Sequence, residues 1–349
     1  MSEPAPTAWP AHGLEDLGRC PVCGVVERVT LHEGLTDRAF GVAPGRWSMR
    51  RCLGCGSGYL DPRPSPGTIE LAYRSYHTHA APSLERSRGR LVRTGDALVS
   101  GYANARLGYA RRPALAAGRL VVPLVPGGPG WAFRGVRCLP RIAGGRLLDV
   151  GCGNGQFLLE MRPEGWEVRG IDPDPAAVAF ARDAGLDVTE DTLESAQLAP
   201  GGFDAVTLSH VIEHVHDPPE TLRACLELLR PGGLLWIATP NLLAGGHRRF
   251  GPDWFPLDPP RHLTLFTRAS LHAALERAGL EPAPDPPWVP DATLWSDRAS
   301  IAVRRGRDPY HPPPLSRRDL LRALAADARS RIRRRSEEEL DVLARRPGA

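Results

Sequence analysis

The chain has 349 residues, 42% of them hydrophobic and 24% charged, with a formal net charge of +4, which describes a globular protein of about two domains. All 44 residues counted as Lys or Arg are Arg; Lys is absent. Without an amine, P-loop phosphate binding and Schiff-base or pyridoxal chemistry are excluded, and since guanidinium stays charged, a catalytic base has to be His, Asp, Glu, Tyr or Cys.

The charge is uneven. Residues 301–349 hold 13 Arg against 7 acids, leaving the rest slightly acidic. The opening MSEPAPTAWPAHG has neither a basic nor an apolar region, and no run of 18 apolar residues follows, so the expectation is a cytoplasmic protein without a membrane span. Residues 1–17 read as disordered. Next come two knuckles, Cys20-Pro-Val-Cys23-Gly24 and Cys52-Leu-Gly-Cys55-Gly56. In a reducing compartment they predict one tetrahedral zinc site in a ribbon over 18–65, its four thiolates closing the coordination shell of a structural ion. Two redox dithiols are the alternative, but the thioredoxin-like strand and helix they need are not evident. Residues 66–145 read as a helical cap, interrupted by VVPLVPGGPG.

From Arg146 the pattern alternates short apolar strands (147–150, 168–171, 187–189, 203–208, 234–239) with helices (156–162, 175–184, 219–229, 269–278), which predicts an α/β fold with a parallel sheet covered on both faces. Pro231-Gly-Gly reads as a helix stop, residues 300–303 as a closing edge strand, and 306–349 as an Arg-rich helical tail.

The most specific segment is LLDVGCGNGQF, residues 147–157. An apolar strand carries Asp149 near its end and runs through Gly151, Cys152, Gly153 and Gly155 into a helix, so amides at a helix start face the ligand. The spacing is GxGxG, and Asp149 beside the loop suits a cationic ligand better than a pyrophosphate. Asp172, 21 residues after Gly151, is placed to accept two ribose hydroxyls.

Here the chain resembles class I S-adenosylmethionine-dependent methyltransferases, through LLDVGCGNG, VRGIDPDP, FDAVTLSHVIEHVHDP and LLRPGGLLWIATPN. The knuckles before the core and DPPRHLTLFTRASL after it are similar to bacterial methyltransferases of polysaccharide and natural-product biosynthesis, over most of 18–305. The resemblance implies a Rossmann-like, seven-stranded, mostly parallel sheet over 146–305 with a small N-terminal zinc ribbon and a helical cover. S-adenosyl-L-methionine would lie over Gly151, Cys152, Gly153 and Gly155, with Asp172 and Pro173 at the ribose, Thr192 and Leu193 near the adenine, and Ser209 and Asp149 toward the methionine end. Asp191 stands where such sequences often have Gly.

For the acceptor, Ser209-His210-Val211-Ile212 lacks the Asn/Asp-Pro-Pro-aromatic tetrad of base N-methylation in this fold. His210, Glu213 and His214 spell H-x-x-E-H, an inverted zinc-peptidase pattern, but Pro218 and Pro219 stop a long helix after it. Small-RNA 2′-O-methyltransferases and ubiquinone-pathway O-methyltransferases carry E-x-x-E-H here and bind a divalent ion; His210 replaces the first Glu. Three uses stay open: a metal at His210, Glu213, His214 and His262; a histidine base, His214 or His262 with Glu213; or purely structural roles. The expected reaction is O-methylation of a small-molecule or saccharide hydroxyl. RNA methylation is the alternative enzyme, disfavoured by a core without a basic stripe beside the site, and a non-catalytic zinc-ribbon partner-binding protein is the alternative of another class.

Overall fold

The computed structural model describes residues 8–74, 90–288, 292–332 and 336–348. Order begins earlier than expected. Residues 8–17 are folded, because Trp9 is buried edge-on against Trp47 with ring centroids 5.2 Å apart, and its indole N–H donates to the Gly13 carbonyl. Residues 1–7 lie outside the described residues. Strand β1 (Leu14–Glu15) then pairs with β5 (Arg63–Pro64). Between them β2 (Arg28–Leu35), β3 (Trp47–Cys52) and β4 (Gly58–Leu60) form an antiparallel sheet carrying the knuckles.

The cap follows. Residues 69–73 form a 3-10 turn, and α1 (Arg90–Leu107), α2 (Gly118–Val121) and α3 (Gly128–Arg134) are helical as expected, α3 starting inside the Gly/Pro run that had read as irregular. The rest of the stretch expected to be helical, 75–89, lies outside the described residues.

The central sheet begins at β6 (Arg146–Val150). It continues through α4 (Gln156–Met161), β7 (Glu167–Asp172), α5 (Pro175–Asp183), β8 (Asp187–Glu190), β9 (Phe203–Ser209), α6 (Pro218–Leu228) and β10 (Leu229–Pro240). After α7 (Gly245–Phe250), β11 (Thr264–Leu265) crosses back to pair with β4, so the ribbon sheet is completed by the core domain. Then come α8 (Arg268–Arg277), β12 (Glu281–Pro282), α9 (Ala292–Arg304), α10 (Arg317–Ile332) and β13 (Glu339–Arg345). Helix starts follow local chemistry: Asp174 caps α5 by accepting from the Ala176 and Ala177 amides with Pro175 at the first position, and Thr267 with Ser270 makes a capping box on α8.

The seven strands run in the order β12-β13-β10-β9-β6-β7-β8, with β13 antiparallel to both neighbours and β10 to β8 all parallel. Three expectations are corrected here. The helical tail ends in a strand, because Leu340, Val342 and Ala344 alternate into the core and pair with β10. Residues 300–303, expected as the edge strand, lie in α9, where Ala299, Ser300, Ala302 and Val303 form a buried helical stripe. Pro231-Gly-Gly does not separate α6 from the next strand; it is an irregularity within β10.

One face of the sheet packs Leu148, Val206, Leu208, Leu235 and Ile237 against Leu222, Cys225, Leu271 and Leu275 of α6 and α8. Cys225, fully buried there, is a core residue. The opposite face packs Leu147, Ala205 and Trp236 against Tyr109, Leu139 and Trp166. Strand order reverses at β6, which lies between β7 on one side and β9 on the other; that switch point directs ligands to the carboxyl edge of the sheet.

Candidate active site

The glycine loop lies at that edge. Gly151 and Gly155 both have left-handed φ (+66° and +78°), and an added Cβ would come within 2.5 Å of Val211 and 2.3 Å of Leu186, so neither side chain nor ordinary φ is tolerated. The thiol of Cys152 is buried and pushed up by that burial. Asp172 ends β7 with Oδ2 accepting from the Gly153 amide (2.7 Å) and Oδ1 from the Asp174 amide (2.9 Å); burial raises its carboxyl against the pull of those amides. Pro173 after it is exposed. The following loop stays beside this carboxylate: the Asp191 amide donates to the Asp172 carbonyl, Thr192 is exposed at the rim, and the Leu193 side chain packs into the core.

Asp149 is 1% exposed. Its Oδ1 accepts from Thr207 Oγ1 (2.7 Å) and from Arg137, whereas Oδ2 is buried with no partner. An anionic oxygen without a donor beside a cradle that only glycine fits is what a cationic amine on a ligand would complete.

The second half of the site is formed by Glu213, His214 and His262, whose ligand atoms all lie within 4.8 Å of one another. Glu213 is fully buried. Its Oε2 accepts from Thr239 of β10 (2.9 Å), and its main-chain carbonyl accepts the amides of Leu263 and Thr264, which brings His262 alongside. His214 Nδ1 lies 3.1 Å from the Arg261 carbonyl and 3.0 Å from the Tyr73 hydroxyl, and His262 Nδ1 lies 2.7 Å from the Pro256 carbonyl. A carbonyl can only accept, so both Nδ1 atoms carry the proton and both Nε2 atoms keep a lone pair. The rings meet edge to face at 4.6 Å. Burial and the neighbouring His262 lower His214 to about 4. Burial would raise Glu213, but the hydrogen bond from His210 and the surrounding histidine charge hold it down to about 2.

His210 stands apart from this trio, a departure from the four-ligand set read from the sequence. Its backbone is left-handed (φ 54°), which turns the ring so that Nδ1 meets Glu213 Oε1 at 3.2 Å and Nε2 faces Glu339 Oε2 at 3.6 Å. The two carboxylates, Glu339 foremost, raise it well above its ordinary value. His210 and Ser209 also line a cavity of about 320 Å³, with Arg134, Arg137, Trp236, Trp288, Glu339 and Asp341 around it.

Several of these contributors were not picked out from the sequence. Tyr73, Arg137 and Glu339 lie 141, 12 and 129 positions from their partners His214, Asp149 and His210, and only the fold brings them in. Trp236, in a strand read as core, was recoverable as a polar-tipped residue near a cofactor edge; its Nε1 is buried without a partner.

The four knuckle thiols also converge, with Cys20 Sγ 3.7 Å from Cys55 Sγ, Cys23 Sγ 3.5 Å from Cys52 Sγ, and all four within 4.8 Å. The hydrogen bond from Cys20 lowers the Cys55 thiol, and the same pairing raises Cys20. Arg261 ties this ribbon to the triad. Fully buried, its guanidinium makes five hydrogen bonds, to both oxygens of Asp37 in the ribbon, both of Asp258, and the Ala72 carbonyl, while its own carbonyl orients His214. The neighbouring Trp254 and His247 pack against each other at 4.9 Å, and Trp254 donates to Glu338.

Residues 131–283 match a family model described as a methyltransferase domain. The ubiquinone biosynthesis O-methyltransferase of Xanthomonas euvesicatoria is 42% identical over 153 residues, 40% of this chain and 64% of the relative. The protein of the same name from Pseudomonas aeruginosa is 39% identical over 107 residues, 29% of this chain and 46% of the relative. The chain thus spans about half the length of the curated relatives it matches. Among solved structures, an S-adenosylmethionine-dependent methyltransferase from Mesorhizobium loti aligns over 66% of this chain and 98% of its own, at 19% identity and a TM-score of 0.41. The similarity to methyltransferases thus lies in residues 131–283, which are joined here to a four-cysteine ribbon.

Proposed function

We propose that this protein is an S-adenosylmethionine-dependent methyltransferase acting on a hydroxyl of a small molecule or saccharide, with a structural zinc at Cys20, Cys23, Cys52 and Cys55. The observation that carries it is the pairing of two histidines with free Nε2 lone pairs and a buried carboxylate at the same sheet edge as the glycine loop. Asp172 accepts the ribose hydroxyls of the cofactor and Asp149 Oδ2 its amine, over Gly151, Gly153 and Gly155. When bound, the cofactor would supply a methyl group on a sulfonium, whose bonding electrons would return to sulfur as the acceptor oxygen takes the methyl.

The chain's own part is the proton. His214, low enough to be neutral at physiological pH, takes the hydroxyl proton at Nε2, with His262 beside it and Glu213 stabilising the imidazolium that forms. The walls of the cavity set where the acceptor lies. β13, which carries Glu339 and Asp341, is three places from β6, roughly 14 Å at the usual strand spacing, so these carboxylates face the acceptor rather than the cofactor.

A second reading of the trio is as ligands to a divalent ion. Two imidazoles anchored through Nδ1 on carbonyls, with a carboxylate, are a fitting donor set. Such an ion would lower the pKa of an acceptor hydroxyl. The test is single-turnover methyl transfer from labelled S-adenosylmethionine to a catechol and monosaccharide panel, with and without chelator. Product formed by the wild type and lost in His214→Ala supports the base. Loss on chelation that magnesium or manganese restores and zinc does not moves the role to an ion at the trio, and full rate in both His214→Ala and His262→Ala contradicts both readings.

A further inference from the structure

The cap carries a surface that the methyl-transfer reading does not use. From Ala97 to Leu148 the chain has eight Arg and no Asp or Glu. In the middle of this acid-free stretch six large apolar residues are exposed within 17 positions: Leu115, Leu120, Val121, Leu124, Val125 and Trp131. Leu124 is 83% and Leu120 68% exposed, values ordinary for charged side chains and unusual for a leucine beside four similar neighbours. Packing does not require this, since Val122, Ala132 and Tyr102 already form a closed small core beneath. Arg111 and Arg137 are engaged with Glu164 and Asp149, while Arg112 and Arg119, within the same stretch as the apolar residues, are exposed, as are Arg106 over the Tyr102 ring and Arg134 at the cavity.

We infer that residues 112–131 dock this protein peripherally on an anionic lipid surface, with Leu120, Leu124 and Trp131 entering the headgroup boundary and Arg112 and Arg119 facing lipid phosphates. The charge argues for that occupant. A protein partner matching six exposed apolar side chains would not require an acid-free 52-residue stretch, whereas an anionic bilayer rewards apolar burial and each nearby arginine together. An indole among leucines at the edge of a basic patch is also the composition of an interfacial anchor. No helix among the described residues is long and apolar enough to cross a membrane, so the contact is superficial. The geometry links the surface to the site: α3 exposes Trp131 and, three residues on, places Arg134 at the wall of the cavity. Docking there would bring the cavity mouth to within a helical turn of the bilayer.

The experiment is co-sedimentation of the full-length protein with vesicles of equimolar phosphatidylglycerol and phosphatidylcholine, against pure phosphatidylcholine. The expected result is binding to the anionic vesicles, weakened about tenfold or more without phosphatidylglycerol or in Arg112→Glu/Arg119→Glu, and lost in Leu120→Asp/Leu124→Asp. Binding should also shift the tryptophan emission to the blue, and Trp131→Phe should remove that shift. Circular dichroism and binding of S-adenosylhomocysteine, unchanged in these variants, separate the result from misfolding and from the methyltransferase reading. Wild-type protein that stays in the supernatant, or a Leu120→Asp/Leu124→Asp variant that binds as well as wild type, overturns the inference. So does a wild-type dimer that the same variant converts to a monomer without vesicle binding, which would assign the face to self-association. Binding to single-stranded RNA in place of vesicles overturns it likewise.

Discussion

His214 and His262 are chemically useful because other groups hold their second nitrogen. With Nδ1 of each directed at a main-chain carbonyl, the tautomer is set and Nε2 is aimed with a lone pair. His214→Ala and His262→Ala should each slow single-turnover methyl transfer by about 10²–10⁴-fold, while calorimetric affinity for the cofactor product stays near wild type. Tyr73→Phe should cost far less, since the Arg261 carbonyl still orients His214. At this scale H-x-x-E-H was legible because its residues are neighbours in the chain. Less legible was the place of His210, whose left-handed backbone, invisible in sequence, turns the ring toward Glu339 as well as Glu213.

Between elements, Arg261 joins the ribbon to the α/β domain through Asp37 and Asp258. Arg261→Met leaves two buried carboxylates uncompensated and should lower unfolding free energy by about 3–5 kcal/mol, read from denaturant midpoints; restoring charge with Lys should recover only part, because a single ammonium cannot reproduce five directed bonds. The same junction carries a pH dependence. His32 of β2 and His247 of α7 meet at 2.8 Å, and burial together with the neighbouring His247 lowers His32 from 6.5 to about 4. Between those values the unfolded chain binds more protons than the folded one, so stability is full above about pH 6.5 and falls as the pH drops toward 4. The loss should be about 3 kcal/mol in denaturant titrations, and His32→Phe should flatten it.

Element recognition succeeded where period and punctuation agreed, as in β6, β7, β9 and the capped α5. It failed at β13, where RIRRRSEEEL reads as a solvated helix because the strand's inward Leu340, Val342 and Ala344 are flanked by charge. Leu340→Ala, fully buried on that strand, should cost about 2–5 kcal/mol, an effect that a free tail would not show.

For the whole molecule, three parts that are separate in sequence share one core. β11 closes the ribbon sheet, β13 closes the central sheet from the far end of the chain, and the ribbon reaches the triad through Arg261. Parallel α/β order was legible because each strand-helix unit is local, whereas these closures depend on contacts more than 200 residues apart between Asp37 and Arg261 and about 100 apart between β10 and β13. Stripping the proposed zinc from the cysteine cluster should therefore do more than melt the ribbon: the proposed methyl transfer should fall together with ribbon stability and return on adding zinc.

The central claim is that the glycine loop and its two carboxylates hold S-adenosylmethionine. Calorimetric titration of the intact protein with S-adenosylhomocysteine tests it most directly. One equivalent should bind to the wild type, and Asp172→Ala should weaken that binding by tenfold or more, about 1.4 kcal/mol. Absence of binding to the wild type, or equal affinity in Asp172→Ala, would contradict the account.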